Sequence, residues 1–158
     1  MAAQLPNVSQ DLVWELTRAH NSFIVKRKGL GNSVIFSRDP YNLTNIHSKK
    51  HAGYAHDKSI SIQAGENGAV QVVSKNEKKA QKPAEARNVT SFSQQTPARK
   101  TYKAVANLAA KRSYRSDLRQ PAVERVSALR YAQKAVKADP EQKLRGKKAK
   151  KAAAADEA

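Results

Sequence analysis

The chain predicts an α+β fold: a small N-terminal domain of one helix and antiparallel β-hairpins, then an extended connector, then a basic C-terminal helical arm. Three observations carry that prediction. Apolar residues fall at helical spacing near the start, gather in short β-branched runs through the middle, and return to helical spacing beyond Arg99. Gly/Asn clusters, Gly29-Leu30-Gly31-Asn32 and Gly65-Glu66-Asn67-Gly68, separate the β-branched runs as hairpin turns do. Positive charge collects at the back, where residues 99–137 hold 11 Lys/Arg against 2 Asp/Glu, a net +9 of the whole chain's +17. The predicted units are a globular domain over 1–74, a polar connector over 75–98, the basic arm over 99–137 and a disordered lysine-rich tail over 138–158.

Residues 9–20 read as a short helix, with Asp11 in its first turn, where a carboxylate favours the helix dipole. Val8, Leu12, Leu16 and Ala19 form one apolar stripe, widened by Val13 and Trp14, and the single Trp is expected to anchor the core. Phe23-Ile24-Val25 and Val34-Ile35-Phe36 flank the first turn and predict a hairpin with Lys26, Arg27 and Lys28 at its tip. Gly29 and Gly31 do not make a nucleotide loop, because Val34 stands where the third glycine should be and no helix follows. Asp39-Pro40-Tyr41 is a turn, and the stretch 44–59 has no periodicity. It holds His47, His51 and His56 near Asp57, but Lys49 and Lys50 in the same loop oppose a cation, so neither a metal nor a cofactor is expected. Ile60 and Ile62 alternate with polar residues before the second turn, and Val70, Val72 and Val73 complete a second hairpin. The stretch 75–95 is polar and nearly aperiodic, which predicts a connector ordered only by whatever it lies against.

In the arm, Thr96 is a candidate cap and Pro97 a candidate first helical residue. Tyr102, Val105, Ala106 and Ala109 then mark one helix face. Leu118, Ala122, Val126, Leu129 and Val136 mark a second helix, and Pro121 either starts it or kinks its first turn. Asp139-Pro140 ends the arm, and the lysine cluster beyond buries nothing. Each helix is near the ~12–15 residues at which isolated helices are marginal in water. Their apolar faces lean on alanine, which buries little area. The arm is therefore expected to fold fully only on a polyanion, and the front domain to be stable by itself.

The composition narrows function. Of 158 residues, 39% are hydrophobic and 6% aromatic, enough for a modest core in part of the chain. With no cysteine, disulfides, thiolate metal sites and thiol nucleophiles are excluded. Four histidines and the scattered carboxylates offer no catalytic spacing, so no enzyme and no small-molecule substrate are expected. The opening MAAQLPNVSQD lacks the basic and apolar regions of a signal peptide, and no apolar run reaches the ~20 residues of a membrane span. Alanine-heavy helix faces also argue against a membrane surface. A net +17 with few acids on amphipathic helices calls instead for a phosphate backbone.

The expected RNA contacts are Lys26, Arg27 and Lys28 at the hairpin tip, and Lys49 and Lys50 in the loop. In the arm they are Arg99, Lys100, Lys103, Lys111, Arg112, Arg115, Arg119, Arg125 and Arg130, with arginines ahead of lysines because guanidinium forks onto phosphate and stacks on bases. Tyr54, Tyr114 and Tyr131 are candidates for stacking on unpaired bases, whereas Tyr102 falls in its helix stripe.

Trp14, Ser22-Phe23 with Lys26-Arg27, and Pro40 with Asn42-Leu43 resemble the front of a eukaryotic ribosomal protein. Tyr114-Arg115-Ser116-Asp117-Leu118-Arg119, continued by Ala122, Arg125 and Ser127-Ala128-Leu129-Arg130, resembles its helical arm. The family is the eukaryote-type large-subunit ribosomal protein twenty-eight, unrelated to the bacterial protein of that number. The resemblance runs with gaps from Trp14 to Gln133. Ser116 stands where the family has a proline, and Pro121 where it has a helix former. The resemblance implies a structural constituent of the large cytosolic subunit, bound to large-subunit rRNA and neighbouring ribosomal proteins, cytoplasmic with a nucleolar assembly stage. The front also resembles a nucleolar large-subunit assembly factor. That relative carries cysteines and a long acidic C-terminal region, neither of which stands in this sequence.

Overall fold

The computed structural model describes residues 8–27, 34–82, 84–111, 113–140, 143, 145–147 and 149. Among these, helix α1 (Gln10–Thr17) leads into a two-residue ribbon, β1 (Ile24–Val25) paired antiparallel with β2 (Phe36–Ser37). A loop over 38–58 connects to a three-stranded antiparallel sheet, β3 (Ile60–Ala64), β4 (Val70–Lys75) and β5 (Arg87–Phe92), in that spatial order. Helices α2 (Ala98–Ala110) and α3 (Arg119–Ala132) follow. This is the α+β architecture that the change of period predicts.

The sheet divides the molecule. In the β3–β4 hairpin, Ile60 pairs with Ser74, Ile62 with Val72 and Ala64 with Val70, so the isoleucines and valines share one face. The turn needs Asn67 and Gly68 in the left-handed region, at φ 52° and 69°. Against that face lie Val105 and Ala109 of α2, Leu118, and Ala122 and Val126 of α3. The i, i+4, i+8 spacing of Leu118, Ala122 and Val126 keeps all three on one stripe. Ala109 and Ala122 are both wholly buried, and their small side chains let the two helices and the sheet approach closely. Each buried valine contributes ~1.5–3 kcal/mol.

The helices therefore stand as walls of the main core, where the sequence reading expects an arm ordered only by a polyanion. Their length is marginal only in isolation, and here tertiary burial replaces it. The stretch 75–98 also differs from an unstructured connector. Residues 87–92 pair in register with β4, from Arg87 opposite Lys75 to Phe92 opposite Val70. As an edge strand with polar side chains on both faces, β5 lacks the alternation that marks a half-buried strand. Helix α2 begins one residue later than predicted, with Pro97 as the flanking residue and no side-chain cap. Pro121 falls in the first turn of α3, where its missing N–H is not required. Val136 lies beyond that helix, fully exposed.

The opposite face of the sheet carries the 38–58 loop. Ser61 donates to the Pro40 carbonyl at 2.7 Å, and Lys75 Nζ donates to the carbonyls of Gly53 and His56 at 2.6 and 2.9 Å. The same ammonium lies 5.1 Å from the centre of the Tyr41 ring. Burial pulls the Lys75 pKa down, an effect that Asp39 and Asp57 oppose. Asp39 shapes the loop by accepting from Tyr41 N at 3.0 Å and Tyr54 N at 2.9 Å. Gly53 is required, since a Cβ there would overlap Tyr41 Cβ and lie 2.7 Å from its carbonyl oxygen.

Helix α1 sits on this loop through its polar side. Ser9 caps it by accepting from Leu12 N at 3.1 Å. Gln10 donates to Asp57, Thr17 and Asn21 reach the Tyr54 hydroxyl, and His47 Nε2 donates to the Arg18 carbonyl. The predicted stripe faces the other way: Leu12 is 48% and Leu16 72% exposed. Trp14 is half-buried beside His47, with ring centroids 4.9 Å apart, and anchors no core. Helical spacing identifies a stripe, but here hydrogen bonds on the adjacent face decide which side turns inward.

Candidate nucleic-acid interface

The candidate interface is a set of cations on fixed backbone that form no salt bridge among the described residues. Burial of Thr101, Val105 and Ala109 turns the opposite side of α2 outward. There Lys100, Lys103 and Lys111 succeed one another at helical spacing, with Arg99 one turn before Lys103, and all four are exposed. Arg119 is exposed at the start of α3. Arg125 is half-buried, and its Nε finds no hydrogen-bond partner among the described residues. Among the described residues none of these six forms a salt bridge.

Further exposed cations lie on the ribbon and in the 38–58 loop. Lys26 and Arg27 are exposed at the end of β1, and Lys50 is exposed in the loop. Arg38, which the sequence reading leaves out, is also exposed beside β2. It was legible as a partner of Phe36, two positions on and so on the same side of the strand. Lys49 is tied to Asp11 by a 2.8 Å ion pair between exposed groups. Lys28 and Arg112 lie outside the described residues, as does most of the 138–158 tail.

Several expected RNA contacts hold the fold together instead. Arg115 clamps the α2–α3 connection onto the loop: it donates to the carbonyls of Lys58 and Lys50 at 3.0 and 2.9 Å and forks onto Asp117 at 2.9 and 2.7 Å. The guanidinium in turn holds the Asp117 carboxyl below its usual range. Arg130 donates to the Ser93 and Gln94 carbonyls at 2.8 and 3.3 Å, fixing the turn between β5 and α2. Tyr114 is withdrawn from stacking, because its hydroxyl accepts from Ser59 N at 3.1 Å and donates to the Lys75 carbonyl at 2.7 Å. Burial pushes its pKa up to about 12. Tyr54 packs at 5.8 Å from Phe23 and ties α1 to the loop. Tyr131, 77% exposed, is the candidate left free to stack. Sequence patterns mark an arginine as basic but do not show whether a backbone carbonyl already occupies it.

A polar recess at Gln10, His56, Asp57, Lys58, Glu77 and Arg115 has no catalytic arrangement. His56 Nδ1 and Nε2 face Gln10 Oε1 at 2.9 Å and the Lys49 carbonyl at 2.7 Å, an arrangement that two donors would satisfy. Burial, Arg115 and Lys75 nevertheless lower its pKa, against the Lys49 carbonyl. Desolvation is the largest of these effects, and Nε2 of the ring donates to the Lys49 carbonyl. Its role is to seat α1.

Fold and charge together define a basic α+β protein whose helical face and short ribbon carry cations that form no salt bridge among the described residues. The chain belongs to the ribosomal L28e protein family, whose model matches residues 12–132. It is 35% identical over 129 residues to the large ribosomal subunit protein eL28 of Schizosaccharomyces pombe, which covers 81% of this chain and 95% of that protein. It is 40% identical over 132 residues to the eL28 of Dictyostelium discoideum, covering 81% and 94%. The eL28 of Caenorhabditis elegans is 35% identical over 71 residues, or 45% and 54% of the two chains.

Proposed function

We propose that this protein is a structural constituent of the large subunit of the eukaryotic cytosolic ribosome, with no catalysis of its own. It binds large-subunit rRNA through two cationic zones and contacts neighbouring ribosomal proteins. It is cytoplasmic on ribosomes and passes through a nucleolar assembly stage. The observation that carries this reading is the row of unpaired cations on α2, in a chain that matches nearly the whole length of two relatives named as large-subunit proteins. Arg99, Lys100, Lys103, Lys111, Arg119 and Arg125 bind phosphates along the helices, and Lys26, Arg27 and Lys50 do so on the ribbon and the loop. Tyr131 stacks on an unpaired base.

The test is to replace Lys100, Lys103 and Arg119 by Gln. All three are exposed, so the thermal transition should not move. Each lost phosphate contact should flatten the salt dependence of RNA binding by about 0.7–0.9 log units per log unit of salt. Incorporation into large subunits that survive a high-salt wash should fall. Normal incorporation with an unchanged salt slope would refute the phosphate role, and a wild-type protein found only on nucleolar precursors would make it an assembly factor.

A further inference from the structure

We propose that the groove beside the β1–β2 ribbon is a single-nucleotide site that receives one unpaired base of the bound RNA. The inference rests on the rRNA reading and adds a defined base-binding position to it. The groove has a volume of about 400 Å³ and is lined by Val25, Arg27, Phe36, Ser37, Arg38 and Asn45. That volume lies within the ~300–1,000 Å³ of small-ligand sites.

Its floor is apolar for a topological reason. Val25 and Phe36 are direct cross-strand partners, so their side chains emerge on the same face of the ribbon. Both are only half-buried, which leaves the Phe36 ring and the valine methyls available to a flat hydrophobic ligand. Arg27 and Arg38 are exposed beside this floor and form no salt bridge among the described residues. Among the described arginines, Arg18 and Arg115 pair with acids, Glu15 and Asp117, and in forming no such pair Arg27 and Arg38 resemble the cations of α2.

Asn45 supplies the polar element. Its backbone is fixed in the left-handed region at φ 57°, and its carbonyl accepts from Ser37 N at 2.7 Å. Its side-chain amide is exposed and makes no hydrogen bond among the described residues. An amide offers a donor and an acceptor together, which suits a base edge. Two guanidiniums suit the phosphates on either side of the base, and an aromatic floor suits its face. A paired base cannot reach this floor, so the site selects single-stranded or bulged RNA.

The experiment uses the full chain, short oligoadenylate as the single-stranded probe and inorganic polyphosphate as the anion control, followed by heteronuclear NMR and titration. Oligoadenylate should shift the Val25 methyls upfield through its ring current, and polyphosphate should not. Phe36→Leu keeps the floor apolar, and Asn45→Gly keeps the left-handed backbone. Each should weaken oligoadenylate binding about tenfold, a typical stacking loss, while leaving polyphosphate binding unchanged. Oligoadenylate that fails to bind, or that perturbs only the residues polyphosphate perturbs with both variants as tight as wild type, overturns the site. If the Lys100, Lys103 and Arg119 variant is impaired as expected while the groove variants behave as wild type, rRNA binding stands and this site alone falls. Normal incorporation of that variant would count against the broader phosphate role.

Discussion

The two sides of the sheet are held by different physics. On the helical side, Ile60, Ile62, Val70, Val72, Val105 and Val126 are nearly inaccessible to water, and burial of apolar area is the dominant favourable contribution. On the other side, none of the described hydrophobic residues of α1 or the ribbon is buried. The loop beneath them buries Tyr41, Ala52 and Ala55 and sends Leu43 into the main core, yet α1 is attached to it by hydrogen bonds of Gln10, Thr17, Asn21 and His47. Net contributions of such bonds are about 0.5–1.5 kcal/mol each. Within the predicted front domain, α1 and the ribbon are thus the more loosely held part, whereas β3 and β4 share the main core with the better-anchored basic helices. On the proposed rRNA reading, a cation row on a packed helix is positioned before RNA arrives, which would lower the ordering cost of binding.

That contrast can be broken most severely at the core. Val105→Asp places an unpaired charge between α2 and the sheet and should cost about 4 kcal/mol or more. Helical circular dichroism and Trp14 fluorescence should be lost together in urea, since α1 rests on the loop that rests on the sheet. Retention of native helical signal would show that α2 does not depend on the sheet.

The link between the two sides is sharper to probe. Lys75→Met preserves the aliphatic stem but removes the ammonium donor to the carbonyls of Gly53 and His56, which keep only Ser59 Oγ at 2.9 and 3.3 Å, at about 1 kcal/mol. The cost should appear in the melting of the Trp14 signal before the helical signal. Coincident transitions would mean that sheet and loop unfold as one unit.

Acid should act on the loop side first. Burial holds His51 below the ordinary imidazole range, with Lys50 and Arg115 acting the same way and Asp117 opposing. Burial does likewise at His56. The unfolded chain protonates near pH ~6.5, while the native rings protonate only at lower pH. Between those values the unfolded state binds more protons, so stability is fully present above pH ~6.5 and falls as pH drops toward the native values. Histidine NMR titrations should show both native pKa values depressed, and stability should decline over that window. A stability maximum near pH 5 would contradict the sign.

The smallest effect is expected on the exposed stripe of α1. Leu16→Ser should change the melting free energy by no more than about 0.5 kcal/mol, because Leu16 packs on little in the free protein. A loss of ~2 kcal/mol would show that the stripe is covered.

Residue patterns alone were enough for the order of helix, hairpins and helices, the existence of the β3–β4 hairpin, and the basic character of α2 and α3. These are local properties: period, turn chemistry and charge are written in neighbouring residues. The eukaryote-type family resemblance was legible as well, in the Tyr114–Arg119 run and the front motif, and the family match bears it out. Tertiary structure alone decided that β5 pairs at the sheet edge, that the helices join the core, and that α1 turns its polar side inward. It also decided that Arg115, Arg130, Tyr54 and Tyr114 hold the fold together while Lys100, Lys103 and Arg119 face water. The physical reason is that a side chain's partners come from distant segments. Arg115 reaches Lys50 and Lys58, Arg130 reaches Ser93, and Tyr114 reaches Ser59 and Lys75. A cation's freedom to bind phosphate depends on whether such a carbonyl or carboxylate already lies within reach.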